Sequence, residues 1–263
     1  MWVFAENLFM GVVLGTISFI LVLYYIRAAL AGKKFTLRVL PAIEAISDGV
    51  DRAVETGRPI FVTTGIKSDI RSGTYSPMVM AGLNIAKYTA VLAAQRGAEI
   101  IFLTPTTEGL VPVFDALYKQ SAVEAGRPEA YKRENVVYFG PEVMLWAVCA
   151  QDIINEKGAA LYVDVGAWTS DADIAGHFAA MDNGAISIGG TCRYHHQGSI
   201  YISCDYPLIM DEMYAAAAYC SGDQLVIGTT VASDIIKLII IAIMIIGTLL
   251  MAVGLPFKEW LTL

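Results

Sequence analysis

The chain has 263 residues, a formal net charge of −7, 56% hydrophobic residues and 16% charged residues, and its mean hydropathy is +0.56. An ordinary soluble domain is about 45–50% apolar and about 25% charged, so a disordered chain and a coiled coil are excluded. A nucleic-acid partner is excluded too, because 25 acidic against 18 basic residues leave no basic face for phosphates.

Residues 8–26 form the first feature, 19 residues without a charge, close to the roughly 20 needed to cross a bilayer. Ala29-Leu30-Ala31 looks like a signal-peptide cleavage site. No Lys or Arg precedes the apolar run, however, and a signal needs a basic leading segment, so an anchor is expected. Gly11 and Gly15 form a GxxxG spacing in it, which lets membrane helices approach closely. Arg27, Lys33, Lys34 and Arg38 follow the run, and Lys237 precedes the second one, against Lys258 alone beyond it. Positive charge collects on the cytoplasmic side. The middle of the chain is therefore expected in the cytoplasm, with both termini outside.

From residue 41 the pattern alternates. Residues 41–56 read as an amphipathic helix, with Ile43, Ile46, Val50 and Val54 at helical spacing and Gly57 as stop. Residues 59–64 read as a strand, 77–96 as a helix, 99–104 as a strand, 109–125 as a helix, and 127–135 as a surface loop. Then come a strand over 136–139, a helix over 141–157 with Pro at its start, a strand over 160–164 and a helix over 170–183. Residues 185–189 and 200–205 read as strands, 208–221 as a helix with a small face at Ala215–Ala218, and 225–228 as a short strand. Strands alternating with helices imply βαβ units, hence a doubly wound, mostly parallel α/β domain. The short link between 185–189 and 200–205 leaves a hairpin open there, which would give the sheet a mixed edge. A second uncharged run of 20 residues covers 238–257 and carries Gly247 and Gly254. The organisation is thus an N-terminal transmembrane anchor over 1–35, an α/β domain over 36–232 and a C-terminal anchor over 233–263.

The four cysteines (Cys149, Cys192, Cys204 and Cys220) form no CxxC pair and read as buried thiols in a reducing compartment. In a parallel sheet, ligands sit beyond the carboxyl ends of the strands. Polar residues gather there: Thr64, Ser68, Asp69 and Arg71 after the first strand, Thr106 and Thr107 after the second, Trp168 after the fourth. These are the candidate ligand-binding residues, with Arg71 as a fork for a carboxylate or phosphate. A plainer account is that such loops are polar because they cap helices, as Thr106, Ser170 and Asp171 could. Cys192, His195, His196 and Cys204 lie near one another, but CxxHH…C matches no standard zinc spacing, so no metal or other cofactor is expected. No GxGxxG, GxxxxGK[ST] or GxSxG motif is present.

The segments 41–46, 55–59 (Glu-Thr-Gly-Arg-Pro), 124–128 (Glu-Ala-Gly-Arg-Pro), 204–209 (Cys-Asp-Tyr-Pro-Leu-Ile) and 214–223 resemble an uncharacterised family of bacterial and archaeal membrane proteins. The resemblance implies an anchor, a central α/β domain and a second span after a Ser-Gly-Asp segment. It implies no catalytic residue. The expectation is a non-enzymatic homo-oligomeric scaffold in contact with membrane lipid, with Gly11, Gly15, Gly247 and Gly254 packing span on span, within one chain or between copies. A module binding a small anion or metabolite is the alternative, and a hydrolase using Asp69 or Asp164 as base is a third.

Overall fold

The structure is a computed structural model and describes residues 9–71, 73–168 and 171–253. Helix α1 spans Phe9–Leu30, α2 Pro41–Thr56, α3 Ser76–Arg96, α4 Val111–Glu124, α5 Val143–Lys157, α6 Ile174–Asp182, α7 Gln197–Ser203, α8 Asp211–Ser221 and α9 Gln224–Ala252. Strand β1 spans Ile60–Thr63, β2 Ile100–Leu103, β3 Val136–Val137, β4 Leu161–Val165, β5 Ile186–Thr191 and β6 Tyr206–Ile209. The chain divides into two compact units, one of them Arg38–Ser221, the other built from the residues up to Leu37 and those from Gly222 on.

The Arg38–Ser221 unit is a six-stranded sheet in the order β3-β2-β1-β4-β5-β6. Every pairing in it is parallel. Its inner strands β1, β2 and β4 are short runs rich in β-branched and aromatic residues, buried on both faces as a parallel sheet requires. Alternation sends Ile60, Val62, Phe102, Leu161, Val163 and Ile188 to one face, where α2, α3, α4 and α8 cover them. Phe61, Ile101, Leu103 and Tyr162 go to the other, under Trp146 and Ile154 of α5 and Ala179 and Ala180 of α6. Each large side chain sealed here contributes about 1.5–3 kcal/mol. Pro near the start of α2, α3 and α4 and left-handed glycines after α2 and α3 set their ends.

The edge differs from the expected hairpin. Residues 200–205 are not a strand: most of them belong to α7, and the strand is Tyr206–Ile209. A parallel partner must begin at the same edge as its neighbour, so the chain has to cross back over the sheet before pairing. A seven-residue helix of about 10 Å makes that return. Ile200 alone of its apolar residues is fully sealed, while Tyr201 and Ile202 are exposed. Pro207 sits in β6, an edge strand that tolerates it, and the helix expected from residue 208 begins at Asp211. Residues 225–228 are likewise no strand but the first turn of α9, where the Asp223 carboxylate accepts a hydrogen bond from Leu225 N at 2.8 Å.

Among the described residues, three helices are long and apolar enough to cross a membrane: Gly11–Leu30, Ser76–Arg96 and Gln224–Ala252. The middle one is α3, whose most apolar window is 61% buried, against 6% for each of the other two. It is apolar because it lies on the sheet with helices on either side. In the other unit α1 and α9 pack together, with Gly228 against the backbone of Tyr25 and Ile26.

Candidate functional site

Strand order reverses between β1 and β4, the place where doubly wound sheets bind ligands. In register there, Thr63 of β1 faces Asp164 of β4, and Asp164 faces Gly189 of β5. Thr63, Tyr162, Asp164 and Ser187 all point to the α6 side of the sheet. A polar cluster results. His177 of α6 lies with Nε2 3.9 Å from Asp164 Oδ2 and Nδ1 2.6 Å from Ser187 Oγ. The thiol of Cys204 lies 3.4 Å from the same Nδ1. Gly189 makes the space, since a Cβ there would run into the Cys204 sulfur and stand 3.1 Å from the imidazole. Trp168 and Tyr162 enclose the ring at 5.1 and 4.7 Å between centroids.

Ser187 Oγ donates to the Ser203 carbonyl at 3.3 Å, so it accepts from His177, which assigns the proton to Nδ1. Nε2 then holds a lone pair facing Asp164 across a gap too wide for a hydrogen bond. Burial, aided by the nearby Asp173 carboxylate, pushes the Asp164 carboxyl well above the usual range. Burial also holds His177 down to about 3 and pushes the Cys204 thiol up to about 12. The cluster is a neutral acid beside a neutral base. Both Asp164 oxygens, Thr63 Oγ1, Thr64 Oγ1 and Tyr162 Oη have no hydrogen-bond partner among the described residues. A nucleophile, a base and an orienting acid are all present, but Ser187, His177 and Asp164 are at most 1% exposed. In this arrangement no substrate reaches them, and burial favours the protonated form of Asp164.

The loops above the cluster are stitched together. Thr64 O accepts from Ala167 N at 2.9 Å, and Ile66 O from Thr106 N at 2.8 Å. Ser68 donates to Thr64 O, Ile66 N to Asp173 Oδ1 at 2.7 Å, and Trp168 Nε1 to Asp164 O at 3.3 Å. Of the residues singled out from sequence, Thr64, Ser68, Thr106 and Trp168 therefore meet at the switch point. Thr106 donates its hydroxyl to Ile66 O rather than capping a helix. Thr107 opens the turn before α4, its carbonyl accepting from Leu110 N. Asp69 and Arg71 stand apart, paired with each other at 3.2 Å, with Arg71 82% exposed. Ser170 lies outside the described residues.

The cation that does reach the switch point is Arg193, which follows β5 and is not among the candidate binding residues above. Its Nη1 donates to Trp168 O at 3.1 Å and Tyr75 Oη at 3.3 Å, and its guanidinium lies over the Tyr75 ring at 5.2 Å. It ties the loop after β4 to the start of α3. Cys192 and Cys204 are separated by the sheet. Cys192 Sγ lies 3.5 Å from Tyr214 Oη on the α8 side, while the His195 and His196 rings lie tilted against each other at 4.3 Å between centroids. Among the described residues no three His, Cys, Asp or Glu side chains form a metal-ligand set. Gly11 and Gly15 have open space beside them and Gly247 is buried, while Gly254 lies outside the described residues. At the opposite edge of the sheet, Arg52, Met181, Gly184, Asp205 and Tyr206 line a shallow cavity of about 510 Å³.

No curated protein and no solved structure matches the chain. A family model described as a domain of unknown function (DUF6754) matches residues 1–261. With a match over nearly its entire length, the chain belongs to that family.

Proposed function

We propose that the protein is a membrane-anchored α/β module that acts by assembling with copies of itself rather than by catalysis. What carries this reading is the contrast between a sealed polar cluster and bare apolar surface. Every group able to do acid–base chemistry at the switch point is enclosed, while Met144, Leu145 and Val148 of α5 are 50–69% exposed. Phe19, Ile20, Leu238, Met244 and Leu249 of the helix pair are just as bare. A soluble monomer seldom leaves apolar patches of that kind open. In this proposal α1 and α9 are the two spans, the α/β unit lies in the cytoplasm, and both termini lie outside. Basic residues near the spans support that orientation. The purified full-length protein in detergent is expected to show a mass that is a multiple of 28.4 kDa. Replacing Met144 and Val148 by Glu is expected to lower that multiple, and a wild-type monomer would refute the assembly reading.

A second reading is a small-molecule site at the β1/β4 switch point. The unpartnered oxygens of Thr63, Thr64 and Asp164 under that crevice favour it. In that reading Arg193, rather than Arg71, is the cation that meets an anionic ligand.

A further inference from the structure

Helix α1 ends in a turn that sends the chain back along it. Gly32 N donates to Ala29 O at 2.9 Å and Lys33 N to Ala28 O at 3.0 Å, with Gly32 left-handed at φ 90°. This pair of bonds is a Schellman stop. Five extended residues would carry Phe35 up to about 16 Å past Leu30. Its ring instead lies 5.9 Å from that of Tyr25, inside α1. Lys33 Nζ stands 5.4 Å from the centre of the same ring, held by the attraction of a cation for an aromatic face. The sequence alone places Lys33 well beyond Arg27. The turn brings it back to the level of Tyr25.

Ile20, Leu23, Tyr24 and Arg27 stand at i, i+3, i+4 and i+7, hence on one face of α1, and all four are exposed. That face passes from bare aliphatic surface through an aromatic ring to a cation. Lys33 and Lys34 are exposed as well. None of the three cations has an acidic partner among the described residues. Arg27 suits the negative end of the α1 dipole, but that does not account for two lysines beyond the turn. Gly228 packs on Tyr25 and Ile26, so α9 begins at this same end and adds the positive end of its own dipole. The acid there, Asp223, already accepts from Leu225 N at 2.8 Å. The result is an end of the helix pair with uncompensated positive charge, bordered by aromatic rings and then by aliphatic surface. In a bilayer that is the order phosphate, interface, hydrocarbon. A soluble anion has no use for the aliphatic part, whereas acyl chains would cover it.

We propose that Arg27, Lys33 and Lys34 hold the phosphate of an anionic glycerophospholipid, whose acyl chains lie along Ile20 and Leu23. The inference rests on the reading of α1 and α9 as spans, and names the lipid they select. The test puts the full-length protein in nanodiscs of phosphatidylcholine with a minor share of phosphatidylglycerol. Native mass spectrometry then counts the lipid that stays bound on release. Wild type is expected to retain phosphatidylglycerol in preference to phosphatidylcholine. Arg27→Gln/Lys33→Gln/Lys34→Gln should lower that preference roughly tenfold or more, since each basic residue at an anionic surface is worth about fivefold. Lys33→Gln and Lys34→Gln singly should each cost about fivefold, and they carry the test if the triple variant does not insert. Phe35→Leu keeps every charge but releases Lys33 from its place, so it should lower the preference too. A preference unchanged in these variants overturns the proposal. So does an equal loss in Lys119→Gln/Lys132→Gln/Arg133→Gln, which would make net charge rather than placement the cause. Displacement of the lipid by inorganic phosphate overturns it by making a free anion the occupant. Release of the wild type from membranes by alkaline carbonate overturns the span reading itself, which loss of lipid from a protein still inserted leaves intact.

Discussion

Asp164 and His177 pull stability in opposite directions as pH changes. His177 falls from 6.5 in a free chain to about 3 in the fold, so the unfolded chain binds the extra proton and stability is lost as pH drops below about 6.5. Asp164 is raised from 3.8, so the folded chain holds the extra proton and stability is lost as pH climbs above about 4. Asp164→Asn keeps the shape of a protonated carboxyl and removes the second loss. Chemical denaturation should find it more stable than wild type at pH 8, because burial favours the neutral side chain. That gap should close by pH 4, and a gap independent of pH would contradict a protonated Asp164. The sequence pointed to Asp164 because it ends a strand, but it gave no reason to join it to His177. That residue sits mid-helix, and only the packing of α6 on β4 and β5 brings the two together. One signal was present: Ser187 and Gly189 alternate in a strand otherwise fit for a core, marking a face where something polar needs room.

Helices and strands of the inner sheet were legible because local and tertiary preferences agree there. The runs 60–63, 100–103 and 161–165 are β-branched or aromatic, and Gly or Pro punctuates the chain around them. Agreement fails at the edge. Ile200-Tyr-Ile-Ser alternates like a strand, yet the need to return across the sheet makes it a helix. Close approaches between these layers were invisible in the sequence. A Cβ at Gly82 of α3 would run into the Val165 carbonyl and stand 2.9 Å from Thr64 Cγ2, whereas Gly198 of α7 has open space. Gly82→Ala is therefore expected to lower stability sharply, by the roughly 1–3 kcal/mol typical of overpacking or more, read by chemical denaturation. Gly198→Ala should raise stability by up to about 1 kcal/mol, from helix propensity. Equal effects of the two substitutions would show that helix propensity, not contact with β4, governs both positions.

For the chain taken as one object, the sequence showed two bare apolar helices enclosing an α/β unit, and the structure adds that the two pack against each other. It could not show the depth at which they meet, because composition fixes how long a span is and not which residues of two spans lie level. If the unit faces the cytoplasm, alkaline carbonate should leave the protein in the membrane. An amine reagent that cannot cross the bilayer should then modify Lys132, half exposed on the surface, only in inverted vesicles. Labelling of Lys132 in right-side-out cells would reverse the topology. The order of synthesis matters as well. Strand β6 closes the sheet at Ile209 and α8 ends at Ser221, while α9 starts at Gln224. The whole α/β unit can thus emerge from the ribosome and fold while the second greasy helix is still inside the exit tunnel. A nascent chain stalled once Ser221 has cleared the exit tunnel should already resist protease as the mature unit does.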